Sequence, residues 1–194
     1  MRLLAKNLVM VKLCDLVKVY DNALEPIICQ KLIELFEGFS DKHERIENER
    51  KPNFTQLNLT EIHQEFEEIG DVHQILIKKT LDYKKDYYTF VDERCFPQSN
   101  AFEQFRVKRY LNDGNDAFDC HVDVIDYSSS RRFLSFFWYL NTVEEGGETV
   151  FEDLVIKPEV GKLVVFPPMW MFPHYGKSPV SNNKYIISTY LHYK

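Results

Sequence analysis

His121-Val122-Asp123, with His174 and then Lys184 further along the chain, is a set of residue types that can do redox chemistry. Two imidazoles and one carboxylate bind one face of Fe(II) and leave the opposite positions open for a chelating co-substrate and dioxygen. The donors are two neutral nitrogens and one hard oxygen, with no thiolate. A lysine at a fixed step beyond the last histidine offers a cation to the far carboxylate of such a co-substrate. On a strand, residues i and i+2 share a face. His121 and Asp123 are therefore expected to project together, with His174 reaching the same point from a separate strand across a sandwich.

Other residues compete for these roles. Asp119 has the parity of His121 and is a rival carboxylate, whereas Asp126 has the wrong parity. Cys120 should face away as a buried thiol. His43, His63, His73 and His192 lie in charged, helical or terminal segments without such companions and read as hydrogen-bonded core or surface residues. Lys184 heads the apolar run Tyr185-Ile186-Ile187-Ser188-Thr189-Tyr190-Leu191. A buried ammonium without a partner is costly, and a co-substrate carboxylate would supply one.

The elements that must position these residues follow from pattern. Residues 8–20 carry alternating and β-branched apolar residues and read as one or two strands. Glu25-Pro26 opens a helix, since proline fits the first turn, with Ile28, Leu32, Leu35 and Phe36 as its buried stripe. Residues 41–52 are densely charged and read as a loop. A second helical region covers about 60–85, with Gly70 separating two helices, and 92–101 reads as a loop. From Phe102 onward short strands alternate with turn clusters: 102–110, 119–126, 132–141, 149–156, 162–166, 171–176 and 184–192. Helices first and sheet later give an α+β class, a jelly roll with N-terminal supporting helices. The chain reads as one domain, 1–194, with 1–101 as support and 102–194 as core.

Composition excludes several classes. The net charge of −6 argues against a nucleic-acid partner, because phosphate binding needs a dense basic surface; Lys78-Lys79 and Lys84-Lys85 read as solvated helix charge. Cys14, Cys29, Cys95 and Cys120 form no CxxC pair and read as free thiols of a reducing compartment. No apolar run approaches a membrane span, and the N-terminus lacks a secretory pattern, so the expected location is the cytoplasm. Asn53-Phe54-Thr55 and Asn58-Leu59-Thr60 match the glycosylation tripeptide and are read as chance.

Beyond the triad, an ordered series of stretches carries a family resemblance. These are Arg109-Tyr110-Leu111-Asn112-Asp113-Gly114 leading to His121-Val122-Asp123; Phe137-Trp138-Tyr139-Leu140-Asn141; Glu145-Gly146-Gly147-Glu148-Thr149-Val150-Phe151; Gly161-Lys162-Leu163-Val164-Val165-Phe166-Pro167; and His174 through Pro179-Val180 to Lys184-Tyr185. Residues 102–194 thereby resemble the catalytic domain of prolyl 4-hydroxylase-like 2-oxoglutarate/Fe(II)-dependent dioxygenases. The resemblance implies a double-stranded β-helix, iron ligation by His121, Asp123 and His174, and Lys184 on the distal carboxylate of 2-oxoglutarate. It implies Tyr110 and Tyr139 near that co-substrate, Thr149 and Trp138 as pocket residues, and Gly146-Gly147 as a turn. It also admits ascorbate as a reductant. In place of the glycine usual before the lysine stands Asn182-Asn183, with the lysine spacing kept.

The activity so implied couples oxidative decarboxylation of 2-oxoglutarate to hydroxylation of a substrate C–H. The intact carboxylate at Asp123 favours hydroxylation over halogenation. A prolyl residue in a peptide or protein is the leading substrate, a free amino acid or other small molecule the next, and a nucleobase is disfavoured by acidity. A different class stays open: a non-catalytic jelly-roll module holding a structural metal such as Zn(II). That site would need a fourth protein ligand, for which the sequence offers no good candidate.

Overall fold

The computed structural model describes residues 12–49, 52–90 and 93–194, so the predicted strand over 8–20 lies partly outside the described residues. Twelve described strands form two antiparallel sheets. They are β1 (Lys18–Tyr20), β2 (Glu44–Ile46), β3 (Phe54–Asn58), β4 (Asn100–Phe102), β5 (Arg106–Tyr110), β6 (Phe118–His121), β7 (Arg132–Tyr139), β8 (Thr149–Phe151), β9 (Leu154–Ile156), β10 (Leu163–Phe166), β11 (His174–Gly176) and β12 (Lys184–Tyr193). The large sheet runs β1-β10-β7-β12-β5-β3-β2, with β4 also on β12, and the small sheet runs β6-β11-β8-β9. This is the jelly roll that the pattern of short strands predicts, with helices packed on one face of the large sheet.

Three helices make that support: α1 (Pro26–Gly38), α2 (Leu59–Ile62) and α3 (Glu67–Tyr87). Pro26 occupies the first turn of α1, and Cys29, Leu32, Leu35 and Phe36 are buried along it. The break between α2 and α3 falls at 63–66, not at Gly70, which lies in the first turn of α3. A Cβ at Gly70 would sit 3.1 Å from the His63 carbonyl oxygen, so the bare glycine lets the corner close. Both helical stripes join one core with Leu134, Phe136, Trp138, Leu163, Val165, Ile187 and Leu191 from the large sheet. Burying large apolar side chains there contributes roughly 1.5–3 kcal/mol each.

Several boundaries differ from expectation. Residues 13–16 form a 3-10 turn, not a strand. The charged 41–52 segment contains β2, which pairs with the unpredicted β3, and β3 pairs in turn with β5. The 92–101 loop ends in β4. The run 149–156 is a hairpin, β8 and β9 turning at Glu152-Asp153. The strand expected over 119–126 stops at His121. Among the described residues no helix is long and apolar enough to cross a membrane.

Candidate metal centre and co-substrate pocket

His121 ends β6 and His174 begins β11, and the two are direct partners in the small-sheet register. They meet as neighbours on one sheet, not from opposite sides of the sandwich. Their ring centres are 4.3 Å apart. Asp123 lies two residues past the end of β6, so strand pleating does not aim it. Its backbone carbonyl instead accepts a 2.7 Å hydrogen bond from Arg132 Nη1, and the Val124 amide donates to the Pro168 carbonyl. The Asp123 Oδ1 and His121 Nε2 atoms are 3.4 Å apart. Donor atoms of His121, Asp123 and His174 all lie within 4.8 Å of one another, and no fourth residue joins them among the described residues.

The outer bonds of the histidines fix what their inner atoms are. His121 Nδ1 lies 2.7 Å from the Asp119 carbonyl oxygen, and His174 Nδ1 lies 3.1 Å from that of Phe172. A carbonyl only accepts, so each Nδ1 carries the proton and each neutral ring turns a bare Nε2 inward. Burial keeps His174 below the usual histidine range, favouring that neutral form. Two nitrogen lone pairs and a carboxylate thus converge with no proton between them, a set that repels itself until a cation enters. Phe118 stacks on His121, and Phe151 and Phe166 pack on His174, which locks both rings.

Asp119, the rival carboxylate, is solvent-exposed at the edge of the small sheet and serves the site only through its main-chain oxygen. Cys120 is exposed, correcting the buried thiol expected there; among the described residues none covers its side chain. His192 is bound to Glu103 at 2.7 Å, and His43 and His63 bond backbone carbonyls.

Beside the triad is a cavity lined by Tyr110, Phe137, Thr149, Phe166, Lys184 and Ile186 among others. Lys184 is buried at 3 % exposure. Its Nζ donates to the Gly147 carbonyl at 3.0 Å and lies 4.5 Å from the centre of the Tyr110 ring. Gly146 and Gly147 have φ of +75° and +74°, and a Cβ on Gly146 would sit 2.5 Å from the Ser178 carbonyl oxygen. Only glycine tolerates that turn, and the turn aims the Gly147 carbonyl at the lysine. Burial pushes the Lys184 ammonium down to about 8. Tyr139 stands behind the wall, not in it: its hydroxyl donates to Thr149 Oγ1 at 2.6 Å, and Thr149 lines the cavity. Trp138 is no pocket residue; it faces the helices, fully buried in their core.

A family model described as the 2OG-Fe(II) oxygenase superfamily matches residues 105–192, the stretch that holds the triad and Lys184. Over that stretch the chain resembles the 2OG-Fe(II) oxygenase superfamily. It is a 2-oxoglutarate-dependent dioxygenase, with Fe(II) and 2-oxoglutarate as cofactor and co-substrate. No curated protein matches the chain. Solved structures share the oxygenase fold at low identity. The viral collagen prolyl hydroxylase of Paramecium Bursaria Chlorella virus-1, in its 2OG complex, aligns with a TM-score of 0.63 at 21% identity, over 94% of this chain and 99% of that one. The Trichoplax adhaerens prolyl hydroxylase in complex with a hypoxia inducible factor oxygen degradation domain peptide fragment gives 0.66 at 16%, over 92% and 84%. A Pseudomonas putida prolyl-4-hydroxylase gives 0.64 at 14%, over 92% and 93%.

Three groups at this oxygenase site escaped sequence reasoning. Lys108 shares the parity of Tyr110 on β5, and Tyr190 shares that of Lys184 on β12; both line the cavity. Those signals were present in the alternation of the strands. Arg132, the anchor of Asp123, carried no periodic signal, because Asp123 lies across the turn that precedes β7 and Glu103 comes from a separate segment.

Proposed function

We propose that His121, Asp123 and His174 hold the Fe(II) of this oxygenase, that Lys184 takes the distal carboxylate of 2-oxoglutarate, and that the substrate is a prolyl residue in a peptide or protein. The reading treats residues 1–194 as one catalytic domain, with 1–101 supporting 102–194. The observation that carries it is the convergence of three proton-free donors beside a buried lysine. Bound iron supplies the activation of dioxygen that couples loss of CO₂ from 2-oxoglutarate to oxidation of a C–H bond.

The chain's own residues then orient and exclude. Nδ1–H bonds to the Asp119 and Phe172 carbonyls hold both imidazoles in the ligating tautomer. Lys184 gives a point charge at the far end of the pocket, while Phe137, Phe166 and Ile186 keep that pocket dry. Tyr110 lies against the Lys184 ammonium, and burial holds its hydroxyl far above the usual phenol range, so it stays a donor. Atoms balance as substrate C–H plus O₂ plus 2-oxoglutarate giving C–OH, succinate and CO₂. The prolyl preference is supported by likeness to prolyl hydroxylase folds, one of them holding a peptide. The test supplies Fe(II), 2-oxoglutarate, ascorbate and proline-containing peptides, and measures succinate together with the peptide mass. One added oxygen on proline, dependent on both iron and 2-oxoglutarate, is the expected result. Succinate without any peptide product redirects the search to small molecules, and no succinate at all removes the reading.

A further inference from the structure

The cavity wall holds a second lysine that the mechanism above leaves unused. In the β5–β12 register Lys108 stands opposite Ile186, whereas Lys184 is opposite Tyr110. Both lysines line the metal cavity. Only Lys108 also lines the adjoining groove of about 390 Å³, which runs past His121 and Asp123 to Ile125 and Arg132. Lys108 therefore stands where the cavity opens, on the side away from Lys184.

The charges of the groove are spent, except this one. Arg132 forks onto Glu103 through two 2.7 Å bonds, and Arg106 lies 3.7 Å from the same carboxylate. Asp126 is engaged by Ser128 and Ser129. Lys108 has no hydrogen bond or ion pair among the described residues, and its ammonium lies 5.2 Å from the centre of the Phe54 ring. Asp123 adds a nearby negative charge, but metal ligation would consume it. A half-buried ammonium without an acceptor is costly, and such a group at a substrate entrance is completed by an incoming anion. One ammonium matches a monoanion; a dianionic phosphate would carry excess charge toward the Asp123 carboxylate.

We propose that Lys108 binds a carboxylate of the substrate, so that this oxygenase selects substrates bearing a carboxylate close to the oxidised carbon. The inference rests on the iron and 2-oxoglutarate reading above. The carboxylate could come from an acidic side chain beside the target residue in a peptide or from the free α-carboxylate of a small amino acid.

The test is calorimetric titration of protein loaded with Mn(II) and 2-oxoglutarate, and of metal-free protein, with two matched pairs. One pair is N-acetylproline and N-acetylprolinamide. The other is the blocked tetrapeptide Ala-Glu-Pro-Ala and its glutamine counterpart. In at least one pair the carboxylate member binds about tenfold tighter, as a charge-assisted contact predicts, and the pair that shows it names the source. Lys108→Met brings that ratio to within about twofold, and Lys108→Arg keeps most of it. Equal binding within both pairs of the wild type, no binding by any member, or a ratio unmoved by Lys108→Met overturns the inference. Failure of Mn(II) and 2-oxoglutarate to bind would instead sink the reading on which it rests, and the metal-free titration would still decide the role of Lys108.

Discussion

Along β7, Leu134, Phe136 and Trp138 enter the helix-side core, while Ser135, Phe137 and Tyr139 turn to the side of the cavity. Along β12 the division recurs, with Ile187 and Leu191 against the helices and Lys184, Ile186, Ser188 and Tyr190 on the cavity. One backbone thus carries two chemistries at a period of two. The helix side is filled with close-packed hydrocarbon and rings that set stability. The cavity side spends stability on buried ammonium groups and hydroxyls that apolar residues would replace at lower cost. The difference teaches that function here is concentrated on one face, so loss of activity and loss of fold should separate by parity.

The largest expected effect tests that separation from the cavity side. Asp123→Ala should remove Fe(II)- and 2-oxoglutarate-dependent succinate formation to below detection, while the melting temperature of the metal-free protein stays within a few degrees. A variant that unfolds would show that the carboxylate is structural; one that keeps turnover would hand its role to another donor. The mirror experiment is Phe136→Ala, one residue from Phe137 but on the helix side and fully buried. It should cost about 3–5 kcal/mol of stability by leaving a cavity, read by denaturant unfolding, with 2-oxoglutarate affinity of the remaining folded protein nearly unchanged. A small stability change there would break the division as surely as an unfolded Asp123→Ala.

How far this division was legible depends on whether its causes are local. The motif His121-Val122-Asp123 was found for a local reason that turns out to be incomplete. The strand ends at His121, and Asp123 reaches the cluster because Arg132 and the Pro168 loop hold its backbone. Arg132 is nine residues on, past the turn at 126–131, and Pro168 is far along the chain, so neither left a strand-like pattern near 123. β3 carries no strand signal because its two apolar residues, Phe54 and Leu57, are three apart and on opposite faces; its pairing with β5 is a tertiary fact. The β8–β9 turn at Glu152-Asp153 has only Asp153 to mark it, a weaker signal than the glycine and proline clusters elsewhere. By contrast, parity alone already forbade Trp138 and Tyr139 from sharing one pocket, and it already put Lys108 beside Tyr110.

The comparison sharpens within the cavity side. Lys184→Met keeps the length of the side chain but removes its charge, and should raise the KM for 2-oxoglutarate roughly 10–100-fold, the range expected for a lost charge-assisted contact. An unchanged KM would move that role to Lys108. The pH dependence follows with a definite sign. Burial lowers the ammonium from its ordinary value to about 8 in the ligand-free protein, and the dianion needs the protonated form. Affinity for 2-oxoglutarate should therefore be full below about pH 8 and fall above it, by up to about tenfold per pH unit. Titration by calorimetry from pH 7 to 9.5 checks this, and a flat profile would show that Lys184 stays charged throughout.

The smallest effect concerns Tyr139, whose ring is fully buried and whose hydroxyl meets the cavity only through Thr149. If it acts by orienting that hydroxyl, Tyr139→Phe should weaken 2-oxoglutarate binding about fivefold at most, the worth of one ordinary hydrogen bond. Thr149→Val should cost at least as much. Residues joined in one network do not add, so the double variant should bind like Thr149→Val alone. Additive losses would mean that Tyr139 touches the co-substrate on its own account. The tyrosine would then have to swing past Thr149 into the cavity, and the boundary between the packed layer behind the pocket and the pocket itself would lie one residue deeper than the structure draws it.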